Sequence, residues 1–271
     1  MIRRIHALYF SATGTTKKLV TELAARLSAS LAVPVEEYDF TPLWARMETR
    51  SFSADELVIV GVPVIAGRVP NLLLPYLNSL WGSGAPVVPV VMFGNRDYED
   101  ALIELRDILQ HDGFKPVAAA ACVGEHSFSV TLAAGRPDAA DLQELDDFAA
   151  RLLHKLQSGA PYEPLFVKGN TPPRPYYIAQ FPDGTPIDFP SMKPKTTADC
   201  TACGLCAEQC PLGAIDPDDC ITIIGSCMKC SRCVKICPLG AKYFDDPGYL
   251  YHKEMLESKF GGRRAANDWF I

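Results

Sequence analysis

The chain has 271 residues, a formal net charge of −6, 48% hydrophobic and 21% charged side chains. That is an ordinary balance for a folded protein with room for two domains, and no apolar run reaches the ~20 residues of a membrane-spanning helix. The acidic balance argues against a broad nucleic-acid footprint. No apolar signal segment follows Met1-Ile2-Arg3-Arg4, so a cytoplasmic location is expected, and there ten cysteines suit metal ligation better than disulfides.

Arg3 to Phe10 (RRIHALYF) reads as a buried strand that runs straight into Ser11-Ala12-Thr13-Gly14-Thr15-Thr16. Leu19, Val20, Leu23, Ala24 and Leu27 then recur at helical spacing. The hydroxyl-rich loop therefore stands at a helix N-terminus, where unpaired N–H groups and the helix dipole favour an anion; an ordinary Ser/Thr cap is the plainer reading. Val35 to Phe40, Glu56 to Val62, Val87 to Gly94 and Pro116 to Gly124 read as further strands, with helical patterns over Asn71 to Leu80, Tyr98 to Gln110 and Asp138 to Leu156. This alternation predicts a doubly wound parallel sheet, which takes ligands outside the carboxyl ends of its strands.

Two loops fall at such ends: Pro63-Val64-Ile65-Ala66-Gly67-Arg68 and Gly94-Asn95-Arg96-Asp97-Tyr98. Trp44, Trp81 and Tyr76 read as core or rim residues, and loop arginines such as Arg68 and Arg96 are usually solvated. His126, in Gly124-Glu125-His126-Ser127-Phe128, is a candidate proton donor, because an unperturbed imidazole titrates near neutrality.

Ala160 to Lys195 holds nine prolines in 36 residues, with Tyr162, Phe166, Tyr176, Tyr177, Phe181 and Phe189 among them. Proline stiffens such a segment and the aromatics give it surface to bury, so it is expected to lie along one domain or across both. Nine of the ten cysteines follow, between Cys200 and Pro238. Cys200, Cys203, Cys206, Cys210 with Pro211, and Cys227, Cys230, Cys233, Cys237 with Pro238, repeat C-x2-C-x2-C-x3-C-P. Three thiolates at this spacing wrap one corner of an iron–sulfur cube and leave its fourth ligand to come from elsewhere. Zinc sites use paired C-x2-C spacings instead. Cys122 and Cys220 read as buried apolar thiols. Lys229, Arg232, Lys235 and Lys242 are expected to surround the second run; the first three predict the higher potential for its cluster and offer a dock for an acidic carrier. Pro247 to Phe260 reads as a terminal helix, and the apolar end Trp269-Phe270-Ile271 is expected to pack back on the body or on a partner.

On these motifs residues 197–245 resemble a bacterial-type ferredoxin with two [4Fe-4S] clusters. In that arrangement the last cysteine of each run serves the other cluster. The resemblance thus implies Cys200, Cys203, Cys206 and Cys237 for cluster 1, and Cys227, Cys230, Cys233 and Cys210 for cluster 2. Residues 1 to about 157 resemble a flavodoxin, whose FMN-phosphate loop S/T-x-T-G-x-T is matched by Thr13, Gly14 and Thr16. That likeness implies FMN contacts from Ser11 to Thr16, from Pro63, Val64, Ile65, Ala66 and Gly67 beside the flavin, and from Gly94, Asn95, Arg96 and Tyr98 at its edge, with Tyr98 placed to stack. Ile65 departs from the family, which often has an aromatic there.

As a whole the chain is similar to the flavodoxin–ferredoxin fusion proteins of anaerobic prokaryotes. The implied fold is a flavodoxin-like sheet of order 2-1-3-4-5 followed by an α+β ferredoxin, divided at 1–159, 160–196, 197–245 and 246–271. The implied function is an electron-transfer oxidoreductase that relays electrons between an external redox protein and FMN through two clusters. A flavin-dependent reductase of a quinone or nitro compound, and an iron–sulfur sensor or docking module without flavin, are the alternatives. A homodimer would also bring one chain's clusters to the other's flavin.

Overall fold

The computed structural model describes residues 2–271. β1 (Arg4–Tyr9) leads through the hydroxyl loop into α1 (Thr15–Leu31) and β2 (Val35–Asp39). β3 (Glu56–Pro63) follows, then a 3-10 turn over Asn71–Leu73 that runs into α2 (Leu74–Leu77), so helical structure covers 71–77 of the 71–80 the pattern predicts. Pro75 lies in the first turn of α2, where proline is tolerated. β4 (Pro86–Phe93), α3 (Ala101–His111), a two-residue β5 (Lys115–Pro116), β6 (Ala119–Val123) and α4 (Ala139–Gln157) complete the α/β unit.

The strands pair in parallel in the order β2-β1-β3-β4-β6, the flavodoxin-like arrangement the resemblance implies. Alternate strand residues point to opposite faces. Leu8, Val60 and Val91 face the side covered by α2 and α3, whereas Ala7, Ile59 and Val90 face α1 and α4. Cys122 belongs to the second core at 1% exposure, and burial pushes its thiol pKa far up, so it serves as an apolar filler. α4 starts on a capping box between Asp138 and Asp141.

The proline-rich segment docks on the α/β unit. Leu165 and Val167 enter the core beside α3, and Arg174 forks onto the buried Asp100 carboxylate at 2.9 and 3.0 Å. That guanidinium holds the Asp100 carboxyl well below the usual carboxylate range. Beyond it, β7 (Lys195–Thr196) pairs antiparallel with β8 (Lys242–Tyr243), enclosing the short helices α5 (Leu205–Glu208) and α6 (Arg232–Ile236).

α7 (Pro247–Phe260) spans the residues its pattern predicts, capped by Asp246. The tail then returns to the sheet. β9 (Asp268–Phe270) pairs antiparallel with β6, an edge strand that the order 2-1-3-4-5 does not contain. Asn267 accepts the Val123 N–H at 2.9 Å, and Trp269 packs on Phe148. An otherwise open edge is thereby covered.

Candidate functional site

Eight thiols fall into two groups of four. Cys200, Cys203, Cys206 and Cys237 line one small cavity, and Cys210, Cys227, Cys230 and Cys233 line another. α5 and α6 begin at residues with positive φ, Gly204 and Ser231, which curl each C-x2-C-x2-C run around its cavity. Among the described residues no three His, Cys, Asp or Glu side chains converge as a single metal ion requires. A four-iron cube needs its thiolates apart, one at each iron, so the donor sets fit two such clusters. Burial pushes the Cys230 and Cys233 thiols up to about 12, so metal binding there must release their protons. At Cys237 burial raises the pKa, but N–H donors from Leu239, Gly240, Ala241 and Lys242 outweigh it and the net shift is downward.

Cys220 is a buried thiol, as expected, and it also lines the first cavity, its Sγ 3.8 Å from that of Cys200. Lys242 lines the same cavity at 2% exposure, its ammonium donating to the Cys220 carbonyl and the Thr196 hydroxyl. It therefore lies at the first cavity with Cys200 and Cys237, and not at the second. Of the other basic residues, Lys235 pairs with Glu125 at 2.6 Å and Lys229 is buried against the Pro190 and Cys227 carbonyls. Arg232 reaches inward as well, so these three form internal contacts and not a dock for an acidic carrier.

The hydroxyl loop sits at the carboxyl end of β1. Gly14 caps α1 at φ 93° with no side-chain cap bond. Ser11 Oγ accepts the Lys17 N–H, but the N–H groups of Ala12, Thr13, Gly14, Thr15 and Thr16 have no protein acceptor among the described residues. An uncapped helix start with free N–H groups fits a phosphate. The second cluster cavity lies beside this loop. Arg232, which lines that cavity, donates to the Ala12 carbonyl at 2.6 Å, and Arg46 donates to the Pro211 carbonyl at 2.6 Å. Cys230 and Met228 pack against the α/β core.

Pro63 and Val64 lead into a turn closed by mutual bonds between Ile65 and Arg68, with Ala66 at φ 52° and Gly67 at φ 77°. Gly67 holds a φ that side chains rarely adopt, and a Cβ there would also crowd Glu99. A Cβ at Gly94 would meet His126 at 2.2 Å, which places that imidazole against the second loop. Burial, then His252, Lys235 and Arg96, push His126 down to about 4, so it is neutral near pH 7 and not poised there. Its Nδ1 accepts the Phe128 N–H.

Tyr98 does not stand free to stack. It is 7% exposed, lies against Phe93, and donates its hydroxyl to Asp268 of β9. Asn95 is likewise bound to the tail, donating to the Phe260 and Arg263 carbonyls at 2.9 Å. Arg96 pairs with Glu99 and covers the Tyr177 ring. Trp44 and Trp81 are exposed, while Tyr76 is buried against Phe40.

Residues 195–216 match the 4Fe-4S binding domain family. Solved structures similar to the chain include a Streptococcus pneumonia TIGR4 flavodoxin (18% identity, 56% of this chain and 99% of that one, TM-score 0.39). Another is an apo NADH:FMN oxidoreductase (18% identity, 59% and 92%, TM-score 0.42). A third is the rubredoxin oxygen:oxidoreductase of the anaerobe Desulfovibrio gigas (18% identity, 57% and 37%, TM-score 0.38). No curated protein matches the chain. By sheet order and family match, the chain joins a flavodoxin-like α/β fold to a 4Fe-4S ferredoxin-type segment.

Proposed function

We propose that the protein relays electrons between an external one-electron partner and FMN, with the Cys200/Cys203/Cys206/Cys237 cluster on the partner side and the Cys210/Cys227/Cys230/Cys233 cluster on the flavin side. Iron–sulfur clusters exchange single electrons and FMN takes one or two, so the pair couples the two kinds of chemistry. The observation that carries this reading is the Arg232–Ala12 bond, because it ties the lining of the second cavity to the loop that fits the FMN phosphate.

The free N–H groups of Ala12 to Thr16 would hold that phosphate, and Gly67 and Gly94 let backbone approach the flavin closely. Arg232 and Arg46 fix the distance from the second cluster. His126, kept neutral by burial and with Nδ1 already accepting the Phe128 N–H, would donate a hydrogen bond there from Nε2 without adding charge. At the far end Cys203 and Leu239 are exposed beside the first cavity, which suits exchange with a partner protein. The domain limits proposed are 1–159 for the flavin unit and 197–245 for the clusters. No helix among the described residues is long and apolar enough to cross a membrane.

The test is anaerobic purification with iron, sulfide and flavin measured on one sample. About eight irons and one FMN per chain are expected. Full iron with no FMN, even after incubation with excess, would overturn the relay in favour of an iron–sulfur sensor or docking module.

A further inference from the structure

Five cysteines, not four, line the first cavity. Cys220 joins Cys200, Cys203, Cys206 and Cys237 there, whereas the cysteines lining the second cavity are Cys210, Cys227, Cys230 and Cys233. The repeated C-x2-C-x2-C-x3-C-P pattern has no place for the fifth thiol. Cys122 shows what a merely buried cysteine looks like in this chain, since it lies in the sheet core among apolar side chains with no other thiol in its cluster. Cys220 is 5% exposed too, yet its Sγ stands 3.8 Å from that of Cys200 and it packs with Cys206 and Ile215.

Local structure holds it there. Asp216 accepts the Asp218 and Asp219 N–H groups, Asp219 accepts the Ile221 N–H, and the Thr222 N–H returns to the Asp219 carbonyl at 2.9 Å, so Cys220 lies inside a closed turn. The buried Lys242 ammonium fixes the same residue by donating to its carbonyl. Two thiolates bound at about 2.3 Å to one tetrahedral metal stand roughly 3.8 Å apart, so sulfurs at this spacing can reach the same iron. Cys200 is only partly buried and Cys203 is exposed, whereas Cys220 is closed off from solvent. An outer ligand thus has an inner thiol beside it.

We propose that Cys220 is a reserve ligand of the first cluster, able to take over the iron held by Cys200. In the exchange the Cys200 sulfur–iron bond breaks and a Cys220 sulfur–iron bond forms, while the Cys220 thiol proton passes to the Cys200 sulfur. No electron is gained or lost, and no outside reactant is needed. While Cys200 is bound, the Cys220 S–H stands beside its sulfur as a weak donor. The first cluster therefore survives the loss of one ligand, and the second has no such provision. This rests on the four-iron reading of the first cavity and is independent of the flavin.

The test uses the full chain reconstituted anaerobically with iron and sulfide, followed by iron content and by electron paramagnetic resonance of the reduced clusters. Cys200→Ala is expected to keep about eight irons and both signals, whereas Cys200→Ala/Cys220→Ala falls to about seven or fewer and loses the first [4Fe-4S] signal. A second measurement spares all four ligands of the repeat pattern. Cys220→Ala carries full iron, but its first signal decays in a chelator about 10-fold faster than in wild type. Loss of the first signal in Cys200→Ala to the level of the double variant, or a wild-type rate of decay in Cys220→Ala, overturns the proposal. Failure of the wild-type chain to take up iron overturns the four-iron reading as well.

Discussion

The Arg232 guanidinium donates to the Ala12 carbonyl oxygen across 2.6 Å, so the second cysteine run and the phosphate-type loop are held by one side chain. A second N–H group of the same guanidinium bonds Gln209, and Nε is buried without a partner beside the cluster cavity. Arg232→Gln removes a charge-assisted bond worth roughly 1.5–3 kcal/mol. The expected outcome is a chain with full iron whose thermal midpoint falls by a few degrees and whose flavin is reduced more slowly through the clusters. Calorimetry and stopped-flow spectroscopy on the loaded protein check both.

The pairing of loop and strand was legible in the sequence because it is local. A strand that meets Ser11 to Thr16 and continues as an amphipathic helix needs only a few neighbouring residues to be recognised, and the cysteine spacing is equally short-range. What the sequence hid depends on distant partners. β9 is three residues long, too short for a periodic signal, and the same tail removes Tyr98 and Asn95 from the loop's free surface. His126 looks like a solvated loop histidine until Gly94 and His252 are brought near it. Lys242 follows Cys237 by five positions, and because Cys237 crosses to the first cavity, Lys242 goes with it.

That crossing moves one of the four expected positive charges from the second cavity to the first, while Lys229 and Arg232 stay with the second. Lys242 is buried beside the first cavity with no carboxylate at ion-pair distance among the described residues, whereas Lys235, near the second, is neutralised by Glu125. Lys242→Met is predicted to lower the potential of the first cluster by on the order of tens of millivolts, and Lys235→Gln to move the second by less. Redox titration followed by electron paramagnetic resonance measures both; equal shifts would show that burial of the charge does not govern the potentials.

The two cavities also differ in access. Cys203 is exposed at the first, while Cys230 packs against the α/β core at the second. A soluble dysprosium complex should therefore relax the resonance of one cluster strongly and the other weakly. The strongly relaxed signal is expected to be the one altered by Cys237→Ser, and the weakly relaxed one the signal altered by Cys210→Ser. The opposite assignment would reverse the order of the relay.

His126 titrates at about 4 in the folded chain against an ordinary 6.5. Between these values the unfolded chain binds a proton that the folded chain refuses, so stability is complete above pH 6.5 and is lost as pH falls toward 4. The full loss is roughly 3 kcal/mol for His126. Asp100 and Asp138, held far below the usual carboxylate range by Arg174 and Arg264, keep their contribution through this window and lose it only at lower pH. His252, pushed down to about 4 by burial, adds the same dependence, so denaturant unfolding from pH 7.5 to 5 should show a decline in wild type that His126→Gln reduces and that the His126→Gln/His252→Gln pair flattens.

The most direct test of the relay is rapid mixing of the chain, loaded with iron, sulfide and FMN, with a low-potential one-electron donor under anaerobic conditions. Cluster bleaching is predicted to come first, and flavin bleaching to follow at the rate at which the clusters recover. In Arg232→Gln the first phase should be unchanged and the second slowed. Flavin bleaching that precedes the cluster signal, or that runs at the same rate with the clusters removed, would contradict electron passage through the second cluster to the Ala12 loop.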